Sequence, residues 1–411
     1  MGYKSQATPG FIPSMFDRTS PPHVLSLVTA AATSALAMNI FLPSLPAIAR
    51  HFDTDYGIVQ LMVSLYLAAT AVLQLGIGPA SDRFGRRPVM LSCFAIFILG
   101  TLAAIFAPTI EILLLCRVLQ AFSAAGMVLS RAIVRDMVAT DEAASKIGYV
   151  TMGMTLAPML GPLIGGFLDE HFGWQSTFVL TVLLGFLAFT VLFLDLGETN
   201  HARSRSMLAQ VGAYPELFRS RRFWGYTAVA AFTSGMFFAF LGGGPYVATE
   251  MLGLTPSQYG LYFGVIPLGY MFGNFCSGRF SQRVGVNRMI AIGGGVAVLG
   301  VILALVLLGM GILHPLGLFI PVAITAFGNG FTLPNANAGM VSVRPHLAGS
   351  ASGLGGALQI GGGAALSVLA GAVLSPNSGA APLLWVMLGS AMAALAAALY
   401  IFDVARRAGE L

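Results

Sequence analysis

One full positive charge stands inside an apolar run. It is Arg117, in the stretch LLLCRVLQAFSAAG from Leu113 to Gly126. An ionisable group at membrane depth is costly, so it marks a solute or proton pathway by default. A structural or snorkelling arginine is the competing reading. The acids are placed differently. Asp53, Asp55, Glu111, Asp169, Glu170 and Glu250 fall at one set of ends of the apolar runs, and the others, including Asp82, Asp136 and Asp195, fall at the opposite set. None lies at the centre of a run, where a proton-driven exporter would keep a group whose pKa moves with conformation. The histidines His23, His51, His171, His201, His314 and His346 are scattered through loops and termini. No His-x-x-Glu-His pattern, metal-ligand cluster or phosphate loop occurs, which speaks against an enzyme and against a metal or other cofactor. Cys93, Cys116 and Cys276 each stand alone in an apolar run and read as packing residues.

The elements that position these residues follow from composition. The chain has 411 residues, 56% hydrophobic and 9% charged, against about 25% charged in a soluble domain. Lipid is therefore the main solvent, and the fold class is an all-α integral membrane protein. Twelve stretches reach spanning length, near 24–45, 57–80, 89–107, 110–132, 146–168, 175–195, 223–248, 257–278, 289–310, 317–341, 348–373 and 382–403. With both termini inside, all of the 21 Lys and Arg except Arg50 and Arg117 lie in cytoplasmic segments, as the positive-inside rule requires. The net charge of +5 then reflects topology, and nucleic acid is not expected as a partner. The first twenty residues, with Lys4, Asp17 and Arg18, read as a cytoplasmic tail and not as a signal peptide. The polar stretch 196–222 divides the chain into a six-helix half at 1–195 and another at 223–411. A repeat supports the division: Gly78, Arg83 and Gly85 of GPASDRFGRRP recur as Gly278, Arg283 and Gly285 of GRFSQRVGVNR, the mark of parallel duplicated halves.

GPASDRFGRRP resembles the signature between helices 2 and 3 of the major facilitator superfamily. Gly78 and Gly85 permit a tight turn. Asp82 is placed to meet a helix N-terminus or Arg135, and Arg83, Arg86 and Arg87 hold the loop in the cytoplasm, with Asp136 nearby. The stretch from Leu113 to Gly126 resembles the arginine-bearing helix 4 motif. APMLGPLIGG (157–166) resembles the helix 5 motif of the antiporter branch, in which Pro158 and Pro162 bend the helix while Gly161, Gly165 and Gly166 let it pack closely. Within the superfamily, MNIFLPSLPAIA (38–49), QLMVSLYLAATAVLQLGIGPASDRFGRRP (60–88), RDMV (135–138), LAPMLGPLIGG (156–166) and FGW (172–174) are similar to the bicyclomycin and chloramphenicol resistance group of bacterial drug efflux proteins.

The resemblance implies two pseudo-symmetric six-helix bundles in the bacterial inner membrane. It implies export of amphipathic drugs by alternating access, in exchange for protons, by a monomer driven by the proton gradient. Members of the group carry an Asp in helix 1 where this chain has Asn39. Asn resembles a protonated Asp in size and cannot release a proton. Coupling elsewhere, an uncoupled transporter and an engineered replacement remain open. A substrate site is expected to gather Asn39 and Arg117 with Tyr66, Gln74, Gln120, Phe237, Tyr246, Asn274, Asn329 and Asn335. Interhelical packing is the competing role for each of the latter. A gate network of Asp82, Arg83, Arg131, Arg135 and Asp136 is expected at the cytoplasmic side. A metabolite exporter of the same fold is the alternative function.

Overall fold

The computed structural model describes residues 21–137, 140–200, 214–344, 347–375 and 379–407. The N-terminal tail and residues 201–213 of the connecting stretch lie outside them. Among the described residues every regular element is helical. In lipid, that is how a spanning backbone satisfies its own hydrogen bonds. The first half holds α1 (Val24–His51), α2 (Tyr56–Phe84), α3 (Arg86–Ile105), α4 (Ile110–Val134), α5 (Thr140–Phe172) and α6 (Gln175–Asp195). The second holds α7 (Arg221–Met251), α8 (Pro256–Phe263, then Val265–Val284), α9 (Val286–Gly309), α10 (Pro315–Ser342), α11 (Ala348–Val373) and α12 (Ala381–Arg407).

Among the described residues, ten helices are long and apolar enough to cross a membrane. Outside that set stand α5 and α8, and α8 carries Asn274, Arg279, Gln282 and Arg283. At 33 residues, α5 outruns its expected span of 146–168 at both ends. Helical hydrogen bonding continues where the apolar stretch stops. The connecting stretch is not all loop either. Tyr214–Phe218 forms a short helix, Leu217 is buried in the second half, and Glu216 pairs with Arg344 at 3.0 Å.

Three helices of the first half are interrupted. In α1 the helix stops at Asn39 and resumes through a 3-10 turn at Leu42–Ser44, because Pro43 and Pro46 lack N–H donors. In α2 a short turn, Tyr56–Val59, precedes the long helix from Leu61. In α4 the turn Ala121–Ser123 is 3-10.

The two ends of the molecule are packed differently. At the end opposite the DRFGRR turn, called here the far end, one apolar core includes Phe41, Leu42 and Met62 of the first half together with Phe240, Tyr259 and Phe319 of the second. Towards the arginine-rich end each half keeps a core of its own. One is built on Leu27, Phe94, Phe97 and Leu129, and the other on Phe223, Tyr226, Ile290 and Met340. The halves are thus sealed together at the far end.

Candidate substrate and gating site

The α1, α2 and α4 breaks surround Arg117, which is 1% exposed. Its Nε donates to Met62 O (3.1 Å) on α2, and its Nη1 donates to Ala37 O (3.3 Å) on α1 and to Gln120 Oε1 on its own helix. Ring faces lie on the guanidinium at 4.0 Å (Phe41) and 4.5 Å (Tyr66), a cation–π cage strengthened by burial. Tyr66 OH meets Ser123 Oγ at 2.9 Å, on the 3-10 turn of α4. One cation therefore clamps three helices where their own hydrogen bonding is interrupted. Arg117 Nη2 and Gln120 Nε2 are buried with no hydrogen-bond partner, two donors available to an acceptor group.

Arg117, Gln120 and Tyr66 thus come together. Asn39 has other neighbours. Fully buried at the end of the first α1 segment, it donates from Nδ2 to Ala35 O (2.8 Å), and its Oδ1 has no hydrogen bond. It abuts α5 at Gly161. A Cβ at Gly165 would overlap Ile40 O, and one at Gly166 would overlap Pro256 O of α8. The helix 5 glycines therefore let α5 press on the α1 break and on the second half at once. The remaining expected site residues are spread out. Gln74 Nε2 sits against Gly356 of α11. Tyr246 packs at a tilt against Tyr56, ring centroids 4.7 Å apart, in the far-end seam. Phe237 packs beside Phe238 and the shared core. Asn274 abuts Gly330 where α8 meets α10. Asn335 Nδ2 donates to Ser277 Oγ (2.8 Å), tying α10 to α8, and Asn329 Nδ2 points at Thr233 O of α7 (3.4 Å) with its Oδ1 unpartnered.

At the arginine-rich end the network runs through Arg86. It meets Asp82 Oδ1 at 2.6 Å and Asp136 Oδ2 at 2.9 Å, and its Nη1 donates to Ser81 Oγ at 2.5 Å. Asp82 thus meets Arg86, the first residue of α3, at the helix N-terminus expected for it; the expected pairing with Arg135 falls on a side chain outside the described residues. Arg87 donates to Phe193 O (3.1 Å), and Arg83 lies over Phe84 (5.3 Å). Arg131 points to Met154 Sδ at 3.6 Å. No Cβ clash restricts Gly78, whereas Gly85 turns at φ 106° hard against Glu198.

Sequence reasoning missed this last contact. Glu198 accepts from the backbone N–H of Arg86 (2.9 Å), capping α3, and Asn200 Nδ2 donates to Asp82 O (3.0 Å). The start of the connecting stretch is thus docked on the signature turn. An acid just after α6 was the available signal. Phe41 and Ser123 were also missed, because a cage wall has no sequence pattern of its own. Among the described residues, hydrogen bonds join the halves at the far end: Tyr56 OH to Gly242 O (2.8 Å), Gln60 Nε2 to Ser367 Oγ (2.7 Å), Arg50 Nη1 to Glu250 Oε1 (2.9 Å) and Ser257 N to Glu170 Oε2 (3.2 Å). A cavity of about 260 Å³ opens beside that seam, between Pro43 and Arg50 on one side and Glu250 and Pro256 on the other.

Two helical bundles sealed at one end, with separate cores at the other and a charged latch on the signature turn, define a membrane transporter. The Major Facilitator Superfamily model matches residues 27–367, and the chain belongs to that superfamily; it is a transporter and not an enzyme. It is 28% identical to a bicyclomycin resistance protein homolog of Haemophilus influenzae over 89% of this chain and 92% of that one. It is likewise 28% identical to multidrug resistance protein D of Escherichia coli, over the same shares of the two chains. A solved bacterial homolog of the human lysosomal transporter Spinster, inward-facing, shares the fold with a TM-score of 0.73 at 19% identity, covering 93% of this chain and 96% of that one.

Proposed function

We propose that this chain exports amphipathic antibiotics of phenicol or bicyclomycin type across the bacterial inner membrane by alternating access, in exchange for protons. The observation that carries the reading is the length of the likeness to two drug-resistance proteins, nine-tenths of the chain in each case. In this reading the chain works as a monomer and both termini are cytoplasmic, because the arginine-rich end is the positive-inside end. The far end then faces outwards and is closed. The halves rock about a site near Arg117, Gln120 and Tyr66, whose unpartnered donors hold an acceptor group of the drug. Asn39 favours a second reading on coupling: with no acid at that position, exchange is carried elsewhere or is absent.

The test is a susceptibility screen in a host stripped of its own pumps, against phenicols, bicyclomycin and lipophilic cations. The protein should raise resistance to at least one drug class, and Arg117→Ala should abolish it. Collapse of the pH gradient should stop export. Resistance unchanged across the whole panel would overturn drug export in favour of a metabolite cargo. Export that persists without the gradient would overturn proton exchange.

A further inference from the structure

Two carboxylates are buried among the described residues, Asp169 and Asp195. Asp195 ends α6 and accepts from the backbone N–H of His23 (2.8 Å) and from Ser26 Oγ (2.6 Å). Its charge sits on the first turn of α1, inside one half. The setting of Asp169 is different. It lies past the fifth apolar run, in the last turn of α5 at the far end, and is 9% exposed. Ser44 and Arg50 of α1 face it, and Glu170 adjoins it on its own helix.

Two of these neighbours, Arg50 and Glu170, are engaged in the seam. Arg50 reaches across to Glu250 of the second half at 2.9 Å, and Glu170 accepts from Ser257 N of α8. One turn back along α5, Gly166 lets the helix touch Pro256. Of the histidines at this end, His51 meets Trp174 edge-on (5.4 Å), His171 stacks on Phe167 (4.3 Å), and His314, at the start of α10, accepts from Leu316 N–H (3.2 Å). Burial pushes the Asp169 carboxyl up to about 6, with Ser44 and Arg50 opposing the rise and Glu170 adding to it.

We infer that Asp169 is a proton-operated latch on the far-end seam: sealing that end holds the carboxyl as the neutral acid, and opening it returns the carboxylate to water. One proton is taken from far-side water on sealing and given back on opening, so no net charge crosses the membrane by this route. The sign follows from linkage. The group's affinity for a proton is raised in the sealed state, so sealing is favoured below pH 6 and the advantage fades as pH rises through 6. With an ordinary carboxylate in the open state, the sealed-to-open ratio should rise about ten-fold between about pH 7.5 and about pH 5. The inference rests on the proposed alternating access and on the proposed orientation for its sidedness. It does not depend on what the cargo is.

The experiment is spin-label distance measurement on the full chain in detergent, without drug or gradient, after replacing Cys93, Cys116 and Cys276. Labels go on Glu111→Cys and Leu313→Cys, both exposed at the far end, one in each half. The short-distance population should grow as pH falls. Asp169→Asn should hold it high at every pH, while Asp53→Asn, at an exposed carboxylate of the far-end loop between α1 and α2, should keep the pH dependence. If Asp169→Asn does not fold, Asp169→Glu replaces it and should retain the response with a shifted midpoint. An unchanged pH profile in Asp169→Asn, an unshifted midpoint in Asp169→Glu, or no pH response in the parent protein would overturn the latch. None of these outcomes bears on drug export, which the susceptibility screen reads separately.

Discussion

Gly85 and Gly285 turn the chain through nearly the same backbone angles, φ 106° and ψ 150° in the first half and φ 90° and ψ 147° in the second. In both copies the glycine N–H returns to a serine carbonyl, Ser81 O at 3.1 Å and Ser281 O at 2.9 Å. The side chains differ. The first copy carries Arg86 bound to Asp82, Asp136 and Ser81, with Glu198 docked on the turn. The second has Val286 and Gln282 at the matching positions. The same contrast recurs deeper in the bundle. Gly100 of α3 faces Cys116 O and Gln120 N of α4 as Gly300 of α9 faces Pro321 O and Thr325 N of α10, which sets Arg117 opposite Val322. Glycine and helix geometry are enough to make the turn. The charges of the first half do something further: they fasten α2, α3, α4 and the connecting stretch into one unit, leaving the second half to move against it.

The strongest way to break this comparison is at the clamp. Arg117→Ala leaves Met62 O, Ala37 O and Gln120 Oε1 without their donor in a buried cage and empties a large side-chain volume. It should cost about 3–5 kcal/mol, against about 2 kcal/mol for Val322→Ala, a simple loss of methyl groups. Thermal unfolding of the purified variants reads the difference. Equal losses would show that the first half is not held by Arg117. Arg117→Met, which restores volume without charge, should recover part of the stability and none of the transport.

Next comes the latch. Arg86→Ala should cost about 2 kcal/mol, since it removes the half-buried cation that bridges Asp82 and Asp136, while Val286→Ala should cost under about 1 kcal/mol. A finer comparison is Gly85→Ala with Gly285→Ala. Both put a side chain at positive φ, for about 1 kcal/mol each. Only the first also strikes the Glu198 carboxylate, whereas the Gly285 position opens on free space. In a Glu198→Ala background the two substitutions should become equal. A double-mutant cycle of unfolding free energies that shows no coupling would remove Glu198 from the latch.

Much of the architecture was legible beforehand. Apolar runs, positive-inside asymmetry and the Gly-Arg-Gly repeat located the helices, because lipid tolerates few alternatives. The glycines at 161, 165 and 166 were read as close-packing residues, and they are found between α1 and α8. The charged end was half legible. DRFGRR announced a charged network, but the meeting of Arg86 with both Asp82 and Asp136 depends on how the turn at Gly85 aims the next residue, and sequence spacing does not contain that. The cage around Arg117 was legible only in its cation. Its walls are backbone carbonyls and rings exposed by helix breaks, and a hydropathy pattern reports none of these. The polar residues of α8 and α10 looked alike in sequence, yet Asn335 ties two helices together while Asn329 keeps an acceptor free.

The far-end seam offers the smallest effect and the cleanest contrast with the latch at Arg86. Arg50 and Glu250 form an ion pair 2.9 Å long, geometrically as good as those of Arg86, but their side chains are 67% and 42% exposed, against 11% for Arg86. Water screens the exposed pair and the long side chains lose entropy in holding it, so Arg50→Ala should change unfolding stability by about 0–0.5 kcal/mol. Raising salt should erase even that, while the Arg86 pairs should persist. The seam would then be held by its apolar core and by the buried bonds of Tyr56 and Gln60, which are indifferent to salt. A loss on Arg50→Ala as large as that of Arg86→Ala would mean that charge, and not burial, seals the far end.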